Sequence, residues 1–193
     1  MPLSQEFINF HWNWLAKADV YDGTQLQGAF DKFFTQYVIF NRLYAEATFR
    51  HLQANHIRLP PYFPDSKGAV EYTLGYIGAR RLNAQLDADP ASRAAIAQVI
   101  ALLRGPVGGH QFCIVLDRLH GNPQPAEDAE LLNKIESANP TEKCEGVLRF
   151  LYAIRCNTFH GHKGFEPVQL EVMKPANNLL RHVTEILFEK LAA

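Results

Sequence analysis

From Leu26 to Ala47 the chain sets Leu26, Phe30, Phe33, Tyr37, Phe40, Tyr44 and Ala47 at alternating steps of four and three. That spacing keeps one apolar seam on one face only if the segment is helical. No proline interrupts about 30 residues here, which makes a rod of about 45 Å at 1.5 Å per residue. A seam this long has to be covered by other long helices, so the expected architecture is an all-α, single-domain helical bundle spanning 1–193 with long antiparallel helices.

The remaining segments are read as helices as well. Ser4 caps a first helix running to about Lys17, with Phe7, Phe10 or His11, and Trp14 on one side. Thr24 is the expected cap of the second. Residues 57–65 hold three prolines and form a loop, from which Tyr62 and Phe63 are expected to pack on the core. Ser66 opens a helix with Val70, Leu74, Ile77 and Arg81 in register, and close approach of a neighbour is expected to compensate Gly75 and Gly78. Asp89-Pro90 reads as a cap followed by a first-turn proline, with Ile96, Val99, Ile100 and Leu103 inward. Residues 111–119 fit a short helix better than a strand, because no strand partner lies nearby. A polar helix follows over 126–137, Asn139-Pro140 caps the next, and Pro175 is expected to begin the last.

The chain of 193 residues carries a formal net charge of −1, which argues against a protein that coats nucleic acid through a general basic surface. It leaves room for a local basic cleft. Three widely spaced cysteines, Cys113, Cys144 and Cys156, point to a reducing, cytoplasmic setting rather than a disulfide framework. No apolar run reaches the roughly 20 residues that span a bilayer, and the N-terminus does not read as a signal peptide.

Function concentrates in Leu151-Tyr-Ala-Ile-Arg-Cys-Asn-Thr-Phe-His-Gly-His-Lys163. Arg155 and His160 stand five positions apart at the end of an apolar helical run that Gly161 stops. A fixed cation and a titratable imidazole suit the handling of phosphate. Between Gly146 and Lys163 there is no Asp or Glu, so the local field favours an anion. Taken alone, Arg-x4-His is a weak signal, since a chain of this composition yields about half a match by chance.

Set on the penultimate helix of an all-helical chain, the run IRCNTFHGHKG resembles the HEPN family (higher eukaryote and prokaryote nucleotide-binding domains), whose signature is Arg, four to six residues, then His. The resemblance is sharp over 148–164 and architectural elsewhere. It implies a helical bundle that dimerises with two copies of the motif facing one another. Many such domains are metal-independent RNases, often toxins or defence proteins; others bind nucleotide or RNA. An antitoxin or nucleotidyltransferase partner is a further implication. Arg155 and His160 match the two defining positions. The family commonly has a polar residue directly after the arginine, where this chain has Cys156, with Asn157 one further on.

The expected chemistry is metal-independent cleavage of RNA by attack of a 2′-hydroxyl, with no cofactor. His160 would move the proton, Arg155 would stabilise phosphorane charge, and Asn157 would assist. Thr158, His162 and Lys163 are the candidates for holding substrate. A five-residue offset turns His160 about 140° from Arg155 at 100° per residue, and a symmetric dimer would reunite the two. The blander readings stand beside this one: a structural arginine, a histidine on the helix dipole, and a small packed Cys156. Trp12 and Trp14 are expected to pack. A non-catalytic nucleotide- or RNA-binding adaptor is the alternative function, and a metal-dependent hydrolase using His160 and His162 the third. The latter lacks an HExxH or a carboxylate-rich companion.

Overall fold

The computed structural model describes residues 2–117, 119–159 and 165–193, and its regular elements are helical. In chain order they are α1 (Gln5–Asp19), α2 (Leu26–Ala54), α3 (Asp65–Lys67), a π turn (Gly68–Tyr72), α4 (Thr73–Ile77), α5 (Ala79–Ala88), α6 (Pro90–Arg104), α7 (Pro125–Glu136), α8 (Pro140–Phe159), a 3-10 turn (Pro167–Gln169) and α9 (Leu170–Ala192). Among the described residues there is no strand, only isolated bridges between Val107 and His110 and between Leu116 and Pro123. The chain is an all-α bundle.

Its axis is α2, packed most extensively on α9 and also on α1 and the π turn. The seam is wider than the spacing alone implies. Phe33, Tyr37, Phe40, Tyr44 and Ala47 are buried, and so are Ala29, Gln36, Ile39, Leu43 and Thr48, whereas Leu26 and Phe30 are only partly covered. A helix enclosed on most sides presents more than one apolar face. The start of α2 also differs from expectation. Asp22 Oδ1 accepts from both the amide and the hydroxyl of Thr24, so the threonine closes a turn and α2 begins at Leu26. A Cβ on Gly28 would lie 2.1 Å from the Asp22 carbonyl oxygen, so this turn seats on α2 only over a glycine.

Caps formed by adjacent residues follow the sequence. Ser4 Oγ accepts from the Phe7 amide, Asp89 accepts from the Ser92 amide, and Asn139 Oδ1 accepts from the Thr141 amide. Several longer-range expectations need correction. Tyr62 is 85% exposed and does not pack on the core; Phe63, 44% exposed, stacks on Tyr44 at 6.0 Å. The helix expected from Ser66 starts at Asp65, contains the π turn and stops at Gly78, so Arg81 falls on α5 and is exposed. Val70, Leu74 and Ile77 do face inward. Gly75 makes the expected close approach, since a Cβ there would meet the His51 ring at 2.6 Å. Gly78 has a different reason: among the described residues nothing lies within 4 Å of a Cβ added there, but its φ of 90° belongs to glycine.

Residues 111–117 and 119 are not helical. The Asp128 carboxylate, buried on α7, accepts from the amides of Ile114 and Val115, and Asn157 Nδ2 donates to the Ile114 carbonyl at 2.7 Å. Those partners satisfy the backbone that a helix would otherwise have paired internally. The last helix begins at Leu170, with Pro175 inside it rather than at its start. Burial of Val172 and Met173 holds this first turn against the core, so the bond lost at proline is tolerated.

Candidate functional site

Arg155 emerges from α8 into a polar cluster built by three elements. Its Nη1 lies 3.5 Å from Asp65 Oδ2 at the start of α3, and its guanidinium sits 5.9 Å from the Tyr37 ring on α2 and 5.8 Å from the Tyr152 ring one turn back. Tyr152 donates to Asp65 Oδ2 at 3.2 Å, and Tyr44 donates a short bond to Asp65 Oδ1. The Arg155 side chain is 22% exposed, so the cation is held but still faces solvent.

The electrostatics keep each group in one form. Burial works against the Arg155 charge, but the Cys156 sulfur at 3.9 Å and the Asp65 carboxylate outweigh it and raise the pKa. The guanidinium therefore stays cationic. Burial, then the bond to Asp65, pushes the Tyr44 phenol up. Burial, reinforced by the Cys156 and Asp65 charges, does the same for Tyr152. Both tyrosines are neutral donors near pH 7, so phenols frame the Arg155–Asp65 ion pair.

The sequence candidates separate in space. Asn157 is 4% exposed, and its amide nitrogen is spent on Ile114, so it anchors the stretch between α6 and α7 instead of standing beside Arg155. The Thr158 hydroxyl donates to the Ile154 carbonyl within α8. His160, His162 and Lys163 lie outside the described residues. Cys156 is partly buried, Trp14 packs against the core, and Trp12 is 55% exposed. The acid-free stretch of α8 is not acid-free in space: Arg149 pairs with Glu145 at 2.8 Å and approaches Glu130 on α7 at 3.7 Å. Local composition had no access to that compensation.

Asp65, Tyr37 and Tyr44 were not singled out from the sequence. A signal for the tyrosines existed, since two phenols seven apart in an otherwise apolar seam share a helix face and both need a partner when buried. Nothing local marks Asp65.

Two other constellations stand apart from the Arg155 cluster. Ser92 Oγ lies 2.7 Å from His182 Nδ1, and Asp89 Oδ2 lies 3.4 Å from the same nitrogen. A nucleophile relay needs the two partners on opposite ring nitrogens, and Ser92 is fully buried, so this is a helix-cap network. A cavity of about 440 Å³ lies between α7, α8, the π turn and the stretch before α7; Tyr152 and Cys156 are among the residues that line it, and Arg155 is not. Among the described residues, no group of three or more His, Cys, Asp or Glu is arranged to hold a metal, and no helix is long and apolar enough to cross a membrane. No family model, no curated protein and no solved structure matches this chain.

Proposed function

We propose that the chain is a metal-independent endoribonuclease of the HEPN type, working as a homodimer with Arg155 on the scissile phosphate and His160 as the acid/base. The observation that carries this reading is the Arg155 cluster: a cation kept charged and oriented by Asp65, Tyr44 and Tyr152, with part of its surface open, five residues before His160. Preorganised cations of this kind stabilise charge that develops in a transition state without reorganising during the reaction. In the step proposed, the imidazole takes the 2′-hydroxyl proton, the 2′-oxygen attacks phosphorus, and the 5′-oxygen leaves with a proton. The products are a 2′,3′-cyclic phosphate and a 5′-hydroxyl. His162, Lys163 and Thr158 remain the proposed substrate contacts. An antitoxin or nucleotidyltransferase is the partner class that the resemblance implies.

A second reading, binding of RNA or nucleotide without turnover, is favoured by Asn157. Its amide is bonded to Ile114, and Cys156 holds the position directly after Arg155, so Asn157 does not supply the polar helper. The test is incubation of total RNA with wild type, Arg155→Ala and His160→Ala in EDTA. Cleavage by wild type alone, leaving cyclic phosphate ends, supports the nuclease. Binding without cleavage, lost in Arg155→Ala and kept in His160→Ala, replaces it with the binding reading. Cleavage surviving both substitutions overturns both assignments.

A further inference from the structure

Asp65 meets Arg155 differently from a carboxylate that serves only to fix an arginine in place. A strong guanidinium–carboxylate pair is bidentate, with nitrogen to oxygen distances of about 2.7–2.9 Å. Here Arg155 Nη1 meets one oxygen, Asp65 Oδ2, at 3.5 Å. The carboxylate takes its hydrogen bonds from phenols instead: Tyr44 donates to Oδ1, and Tyr152 donates to Oδ2 at 3.2 Å. The rings of Tyr37 and Tyr152 lie 5.9 and 5.8 Å from the guanidinium, near the outer limit of about 6 Å for a cation–π contact, so they restrain it little.

That division of partners decides what happens when an anion arrives. Taking the cation from a partly buried carboxylate is costly when the carboxylate has no other partner. Asp65 keeps a phenol donor on each oxygen, so Arg155 can leave it at small cost. We infer that Asp65 is a resting counter-ion that phosphate displaces from Arg155, with Tyr44 and Tyr152 holding the carboxylate after the cation turns away. The exchange belongs to substrate binding and precedes the chemical step. The Arg155 and Asp65 side chains are 22% and 37% exposed, so the contact that phosphate must break weakens its binding about fivefold. This inference rests on the reading of Arg155 as the phosphate-binding residue and adds a control to it: the site is filled by the protein's own anion until a phosphate arrives.

The experiment is titration of the isotope-labelled full chain with inorganic phosphate at pH 7 and constant ionic strength. It is read at the Arg155 Nε–Hε NMR signal, which Arg155→Ala identifies by its loss. Asp65→Asn should bind phosphate about fivefold more tightly than wild type. Tyr152→Phe changes no charge but leaves Arg155 as the one group facing Asp65 Oδ2 among the described residues, so phosphate affinity should fall about threefold. In the Asp65→Asn background the same tyrosine substitution should have no further effect. Should Asp65→Asn fail to fold, Tyr152→Phe decides alone, since its position is partly exposed and the ring is kept. Wild-type binding that Asp65→Asn does not strengthen, or that Tyr152→Phe does not weaken, overturns the displacement and leaves Arg155 as a phosphate residue. No response to phosphate in any variant overturns the phosphate reading of Arg155, and the displacement with it.

Discussion

His11 offers a test of the packing that needs no ligand. Its ring lies on α1 and is 1% exposed, stacked on Phe188 of α9 at 3.7 Å between centroids and 4° between planes. Burial, assisted by the positive charge of Arg181, lowers its pKa from 6.5 to about 4. Between those values the unfolded chain binds a proton that the folded chain refuses. Stability contributed by neutral His11 is therefore complete above pH 6.5, falls as the pH drops, and levels off below pH 4. At pH 5 the loss relative to pH 8 works out to about 2 kcal/mol, and the full shift corresponds to about 3 kcal/mol. Carboxylates titrate over the same range, so the assay has to be differential: urea unfolding of wild type and His11→Phe at pH 8, 6.5, 5 and 4.5. Phenylalanine keeps the stack on Phe188 and removes both the titration and a buried Nδ1 that has no hydrogen-bond partner among the described residues. Wild type should lose about 2 kcal/mol more than the variant between pH 8 and pH 5. Parallel stability curves for the two proteins would refute the linkage, and with it the stacked burial of this ring.

Two further substitutions probe the elements around the motif. Asn157→Ala removes the donor to the Ile114 carbonyl and should cost about 1–3 kcal/mol, with faster hydrogen exchange over residues 112–116; unchanged exchange there would show that the stretch does not depend on α8. Asp65→Asn keeps a hydrogen-bonding side chain between Tyr44 and Tyr152 but withdraws the negative charge from Arg155. A loss of about 1 kcal/mol in urea unfolding is expected for a pair this exposed, and a loss above about 3 kcal/mol would mean that the pair behaves as fully buried.

What could be read from the sequence was what neighbouring residues decide. Ser4, Asp89 and Asn139 act on amides two or three positions away, and the α8 stripe of Val147, Leu151 and Ile154 follows from helical spacing. The misreadings involve distant partners. Residues 111–117 take their conformation from Asp128 and from Asn157, 43 positions beyond Ile114, and no local propensity carries that information. The same holds for the candidate site. Arg155 was legible, but Asp65, which Tyr152 reaches across 87 positions, was not, because only the fold makes the two adjacent.

The π turn fixes the angular phase of that meeting. It places one additional residue within the helical run from Asp65 to Ile77, and the Gly68 carbonyl receives both the amide and the hydroxyl of Thr73. In an unbroken α-helix, residues nine apart point in opposite directions at 100° per residue. A single wide turn delays the rotation by about one residue, which brings Asp65 about 100° back toward the side occupied by Leu74. The core contacts of Leu74 and Ile77 and the carboxylate beside Arg155 therefore belong to one rigid screw with a built-in offset. Deleting a residue between Gly68 and Tyr72 would restore an ideal helix while swinging the carboxylate away from the tyrosines. In this fold the irregular turn sets the direction in which the charge points.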